Sequence, residues 1–120
     1  MHGPDGKTIG HAEVVVGDSI LMLSEENPHF NKSPQMLNGT TVSLLIYVED
    51  VDAAFKRAVE AGAKVLLPVE DKFYGERAGS LTDPFGHMWT LMTHIEDVPP
   101  QEMDKRLAEF NAKMAAMKHA

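Results

Sequence analysis

The stretch YGERAGSLTDPFGHMWTL, residues 74–91, sets a Gly-containing charged run against a strand-like run that holds the only tryptophan. Between them, Asp83-Pro84-Phe85-Gly86 reads as a tight turn. Proline pre-sets φ for the second position of a type I turn, and glycine suits the fourth. ERAGSLT (76–82) and HMWTLMTHI (87–95) are therefore predicted as the two arms of a hairpin. Period-two alternation puts Met88, Thr90 and Met92 on one face and Trp89 on the other. The first face is expected to line a cup and the second to pack beneath a helix.

Working outward, VSLLIYV (42–48) is a predicted strand, apolar enough to be buried on both faces. Asp50 is placed to cap the helix VDAAFKRAVEA (51–61), and Gly62 stands where its C-terminal cap falls. Val51, Phe55, Ala58 and Val59 form one apolar stripe at helical spacing. KVLLPV (64–69) is the next strand, so residues 42–95 read β-α-β-β-β. Upstream, IGHAEVVV (9–16) and SILMLS (19–24) are joined by Gly17-Asp18, a hairpin signal. That turn sets Glu13 opposite Met22 and His11 opposite Ser24. His11, Glu13, Val15, Ile20, Met22 and Ser24 then share a face, and Ala12, Val14, Val16, Leu21 and Leu23 make an apolar face that wants a cover. Residues 25–41 are rich in turn formers and read as an exposed loop. After Pro99-Pro100 comes a terminal helix whose Met103, Leu107, Phe110, Met114 and Met117 form a narrow seam that needs a surface to dock on.

At 120 residues the chain has the length of one domain, and 43% apolar with 24% charged residues is ordinary for a globular protein. A net charge of −7 argues against nucleic-acid phosphates and anionic membranes as partners. No apolar run is long enough to cross a bilayer, and the first residues lack a signal-peptide core. The absence of cysteine excludes disulfides, thiol catalysis and thiolate metal sites, and fits a cytoplasmic setting.

The β-α-β-β-β order closing on a strand–Asp-Pro-Phe-Gly–strand hairpin resembles the glyoxalase/bleomycin-resistance/extradiol-dioxygenase superfamily, the vicinal oxygen chelate fold, and more closely its PhnB-like branch. Residues 3–26, 42–89 and 94–103 carry the likeness. The resemblance implies an α+β fold with a βαβββ module, an N-terminal β-hairpin left from an incomplete first module, a mixed curved sheet forming a cup, and a C-terminal amphipathic helix. It implies a domain over 1–98, with 1–24 as the first-module remnant and 42–95 as the complete module, followed by the helix at 99–120. By the same resemblance the metal-ligand positions of metal-dependent relatives fall at Met22, Ser43 and Thr90, with the fourth on a strand this chain lacks. Met, Ser and Thr are poor ligands for a divalent cation, so no metal and no other cofactor is expected.

His11 and Glu13, on one strand face, are the candidate catalytic pair in general acid and base roles; the alternative is a hydrogen-bonded pair at a sheet margin. A metal reading would add His94 as third ligand. Met22, Ser43, Tyr47, Tyr74, Arg77, Met88, Thr90 and Met92 are the candidate ligand-binding residues, with Arg77 able to clamp an anionic or oxygen-rich ligand or to form a surface ion pair. Three functions follow: a small-molecule-binding protein independent of metal; a lyase or isomerase of glyoxalase or dioxygenase type acting on a small oxygenated substrate; and an assembly or drug-sequestering protein without catalysis. The incomplete module leaves open strand edges, so a homodimer is expected, with strands or the C-terminal helix exchanged.

Overall fold

The computed structural model describes residues 1–2, 5–27 and 29–118, the side chain of Lys118 excepted. Along the chain run β1 (Ala12–Val16), β2 (Ser19–Leu23), α1 (Pro34–Leu37), β3 (Ser43–Tyr47), α2 (Val51–Glu60), β4 (Lys64–Asp71), β5 (Glu76–Thr82), β6 (Met88–His94) and α3 (Pro100–Lys118). The fold is α+β, and the chain divides into two compact units, Met1–Gly39 and Thr40–Ala120. The anticipated module over 42–95 lies in the second unit, and α3 belongs to that unit too.

In the first unit β1 and β2 pair antiparallel in the expected register, with Glu13 opposite Met22. Gly17 sits at φ +61°, a conformation glycine adopts freely and type II′ hairpin turns require at their first central position. The pairing of His11 with Ser24 is not part of this ladder, which ends at Ala12 and Leu23. There the backbone is taken over by Glu25 N donating to Ile9 O at 2.9 Å, and by Gly10 N and His11 N donating to Met1 O. The segment expected as a plain loop contains the single turn α1. Ser33 accepts from Met36 N at its start, Pro34 fills the first helical position, and Asn38 ends it in the left-handed region. Serine followed by proline is a helix-start signal, masked in the sequence by the many turn formers around it.

The second unit is built on the Asp83 turn. Gly86 N donates to Asp83 O at 3.0 Å, and Asp83 N donates to His87 O at 2.9 Å. The Asp83 carboxylate gathers three more donors: Phe85 N, His87 N and, at 2.9 Å, the Trp89 indole nitrogen. Counting outward, the turn fixes Thr82 opposite Met88, Ser80 opposite Thr90, Ala78 opposite Met92 and Glu76 opposite His94. The four-stranded sheet runs β3-β6-β5-β4, with β3 parallel to β6 and the other pairs antiparallel. Pro68, which has no N–H to give, lies on the edge strand β4 where its register shifts.

Helix α2 packs on one face of this sheet. Asp50 caps it by accepting from Ala53 N at 3.2 Å, a contact of about 1 kcal/mol. At its other end Gly62 N donates to Val59 O and Ala63 N to Ala58 O, the bond pair of a Schellman cap. Val51 is 1% exposed, and its N–H donates to Thr93 Oγ1, which in turn donates to the Val48 carbonyl. Phe55 lies so near β5 that a Cβ on Gly79 would come within 2.8 Å of its ring. Ala54, Phe55 and Ala58 complete the inward stripe, while Val59 is turned to the exposed margin.

The opposite face of the sheet is the open one. Strand β3 departs from expectation here: Leu44 and Ile46 are half-buried on the α2 side, but Ser43, Leu45 and Tyr47 on the other side are exposed. Its apolar sequence suits burial on both faces, yet at β3 only the α2 side is covered. Because Asp83 satisfies three donors, Asp83→Ala is expected to lower the unfolding free energy by about 1–3 kcal/mol in urea titration, with Trp89 fluorescence as the probe.

Candidate functional site

Alternation on the open face puts Leu45 and Tyr47 of β3, Thr90, Met92 and His94 of β6, and Glu76, Ala78 and Ser80 of β5 on one surface. Over its centre lies a cavity of about 580 Å³, lined by Leu45, Leu67, Tyr74, Thr90, Met92 and Phe110 among others. Ligand sites of proteins fall in this size range. Its floor is dry at Ala78 and Met92, both buried, while Ser80 and Thr90 satisfy one another by a hydroxyl–hydroxyl bond of 2.9 Å. The wall opposite the strands comes from α3 and the β4–β5 turn. Phe73 and Phe110 have ring centroids 5.0 Å apart, and Phe73 meets Tyr74 edge-on.

Arg106 pins that wall. It donates to the Phe73 carbonyl at 3.0 Å, to both oxygens of Glu96, and to Glu102 one helical turn back. These bonds hold the Glu96 carboxyl below its ordinary pKa and push the guanidinium pKa further up, Glu96 being the larger cause and Glu102 the lesser. The 95–98 segment is fixed from below as well, because Ile95 N and Glu96 N both donate to Gly75 O.

Past the cavity's lining, at one end of the same face, the sheet turns polar. Glu76, whose side chain is 12% exposed, accepts at Oε1 from the Tyr47 hydroxyl at 3.3 Å and pairs with His94 Nδ1 at 3.2 Å. His94 Nε2 lies 2.6 Å from Asp97 Oδ1. The charge of Glu76, the largest cause, raises the Tyr47 pKa and keeps the phenol protonated.

The other candidate residues fall as follows. Ser43 opposes Met88 at the far end of the open face, where both are exposed. Tyr74, Thr90 and Met92 line the cavity. Arg77 sits on the α2 side of β5, not in the cup. It grips Asp52 with two nitrogens at 2.9 and 3.0 Å and Asp71 with the third, so its donors are engaged within the protein and not free to clamp a ligand. Hydrogen bonds from Asp52 first and Asp71 second raise its pKa further, and Arg77 in turn holds Asp52 low. His11 and Glu13 are together on the first unit's hairpin, 3.6 Å apart and each well exposed, with Met22 opposite Glu13. Sequence alone does not single out Glu76 or Phe110 as ligand-binding residues, and it brings in His94 only as the third ligand of a metal reading. The register outward from the Asp83 turn already sets Glu76 against His94, and that was the available signal.

A metal does not suit these donors. Ser43 and Thr90 carry neutral hydroxyls, Thr90's is bonded to Ser80, and Met22, in the first unit, is a thioether; hard divalent cations prefer carboxylates, and divalent transition metals imidazole and carboxylate. Among the described residues no group of three His, Cys, Asp or Glu could hold a metal ion. Nor, among them, is any helix long and apolar enough to cross a membrane.

Comparison with known proteins agrees with the geometry. Residues 2–91 match the Glyoxalase/Bleomycin resistance protein/Dioxygenase superfamily, and the chain belongs to that family. It is 38% identical over 110 residues to the uncharacterized protein Mb0911c of Mycobacterium bovis, a match covering 88% of this chain and 72% of that one. Across the mycobacterial relatives the chain spans 64 to 72% of their length. TioX from Micromonospora sp. ML1 is similar in structure, with a TM-score of 0.59 and 31% identity over 79% of this chain and 76% of that one. A PhnB protein from Bacillus cereus shares the fold, with a TM-score of 0.52 and 22% identity over 72% of this chain and 65% of that one.

The polar end gives a pH dependence. Hydrogen bonds to Asp97, the larger cause, and to Glu76 raise the His94 pKa above the ordinary 6.5. A folded-state value above the unfolded one adds stability that is fully present below pH 6.5 and is lost as pH rises through the folded value. Thermal melts of the native chain and of His94→Gln are expected to converge as pH rises across that window. An imidazole NMR titration with a midpoint at or below 6.5 would contradict this.

Proposed function

We propose that this chain binds a small apolar or amphipathic molecule in the cup of its second unit, and that binding requires no metal. The cavity carries the reading: about 580 Å³ walled by Leu45, Leu67, Met92 and Phe110, with the floor hydroxyls of Ser80 and Thr90 paired and the charged lining residues Glu70, Asp71 and Lys72 engaged in ion pairs. Such walls favour ligands through apolar area removed from water, and methionine lets the pocket adapt its shape. Membership of a superfamily of ligand-holding cups supports the reading by analogy of fold. The lack of cysteine fits a reducing, cytoplasmic setting.

The test uses octanol as a neutral apolar probe. It is expected to bind in calorimetry, with an affinity unchanged by a chelator. Leu45→Trp, at a half-exposed position that tolerates bulk, is expected to fill the cup and remove binding while the melting temperature holds. Binding that depends on the chelator, or that survives this substitution, would exclude the proposal.

A second copy of the chain is the cover proposed for the open surface. Strand β3 is an edge of the second unit's sheet, and Leu45 and Tyr47 beside it are 50% and 62% exposed. The α3 seam runs on with Leu107, Phe110, Met114 and Met117, all exposed. Monomeric proteins rarely leave such contiguous apolar surface in water, and two-fold pairing of identical patches is the commonest remedy. Light scattering at micromolar concentration is expected to give twice the chain mass; a single chain's mass would refute the dimer.

A further inference from the structure

We infer that the polar cluster just past the cup's lining on the same sheet face, formed by Tyr47, Glu76 and His94, takes the ammonium group of an amphipathic ligand, so that the ligand class is a small amine with an apolar body. This rests on the cup being the binding site. Placement is the first ground. Glu76 and His94 are the next cross-strand pair on the face that carries Ala78 and Met92, and Tyr47 stands two residues beyond the lining residue Leu45. A ligand with its apolar body over Met92 therefore brings its head to Glu76.

The carboxylate itself is the second ground. Glu76 Oε1 takes both the Tyr47 hydroxyl and His94, while Oε2 is buried and has no donor among the described residues. A carboxylate offers about four acceptor sites, and one left unmet away from water is disfavoured. The terminal torsion of a glutamate is soft and two-fold, so rotation presents either oxygen to a ligand. Because Tyr47 donates its proton to Glu76, its own oxygen lone pairs remain to accept from the same N–H group.

Charge is the third ground. Glu76 and Asp97 flank one imidazole, so the group stays net negative even with His94 protonated. The basic side chains nearby are already engaged, Lys72 by Glu70 and Arg77 by Asp52 and Asp71. A ligand carboxylate would be repelled there, and an alcohol could donate a hydrogen bond but would bring no countercharge.

Octylamine, octanol and octanoate share one apolar body and separate these cases by calorimetry at neutral pH. Octylamine is expected to bind about tenfold tighter than octanol, because it adds a countercharge to the hydrogen bond that either probe can give Glu76, and octanoate weaker than both. In Glu76→Gln the octylamine-to-octanol affinity ratio is expected to fall to about one. In the unmutated chain, octylamine is expected to shift the Tyr47 and His94 ring resonances and octanol to leave them in place, which settles the matter if the variant does not fold. Octanol binding without an amine preference, a preference that survives Glu76→Gln, or ring shifts that are equal for both probes would overturn this inference and leave the cup standing. Failure of all three probes to bind would overturn both.

Discussion

The close approach of Gly75 to the segment after β6 orders most of what matters in the second unit. Gly75 O receives Ile95 N at 2.9 Å and Glu96 N at 3.1 Å, and Gly75 sits at φ +90°. A Cβ at that position would stand 2.2 Å from Glu96 O, so no residue with a side chain fits without moving the backbone. The contact turns the chain leaving β6 back over the start of β5. It thereby brings His94 and Asp97 to Glu76, and it aims Glu96 at Arg106. Arg106 then ties α3 to the Phe73 carbonyl and sets Phe110 over the cup. One missing side chain thus positions both the polar end and the aromatic wall.

The two faces of the sheet use charge differently. On the α2 side Arg77 is closed off by two carboxylates and serves to lock helix to strand, a role in which a planar bidentate fork is well suited. On the open side the central floor carries no ion pair; its only polar pair, Ser80 and Thr90, is neutral and self-satisfied. Charge lies at the margins instead, around Glu76 at one end and in the Lys72–Glu70 pair beside β4.

Much of the fold was legible because local rules agreed with one another. The Asp-Pro-Phe-Gly turn fixed its own register, and that register alone assigns Met88, Thr90 and Met92 to the open face and Trp89 to the other. Asp50 and Gly62 marked the ends of α2 by their capping chemistry. What could not be read were the contacts that depend on long-range approach. Arg77 looked available because nothing local announces that Asp52, on a different element, lies within reach. Strand β3 looked doubly buried because its composition is apolar, whereas burial is set by what covers it. Phe110 looked like one member of a docking seam, and only the Arg106 contacts show that it walls a cavity.

The parallel pairing of β3 with β6 has a consequence for the order and ease of opening. Strands β4, β5 and β6 follow one another through short connections, so their pairing closes only small loops. Strand β3 reaches β6 across the whole of α2, β4 and β5, and the chain entropy lost in that closure is the largest in the sheet. It also has one bonded neighbour instead of two. Release of β3 therefore breaks a single ladder, where release of β5 or β6 would break two, and it carries Leu45 and Tyr47 away together. The strand that carries both an apolar wall residue and a polar contact is thus held to the sheet by one ladder alone.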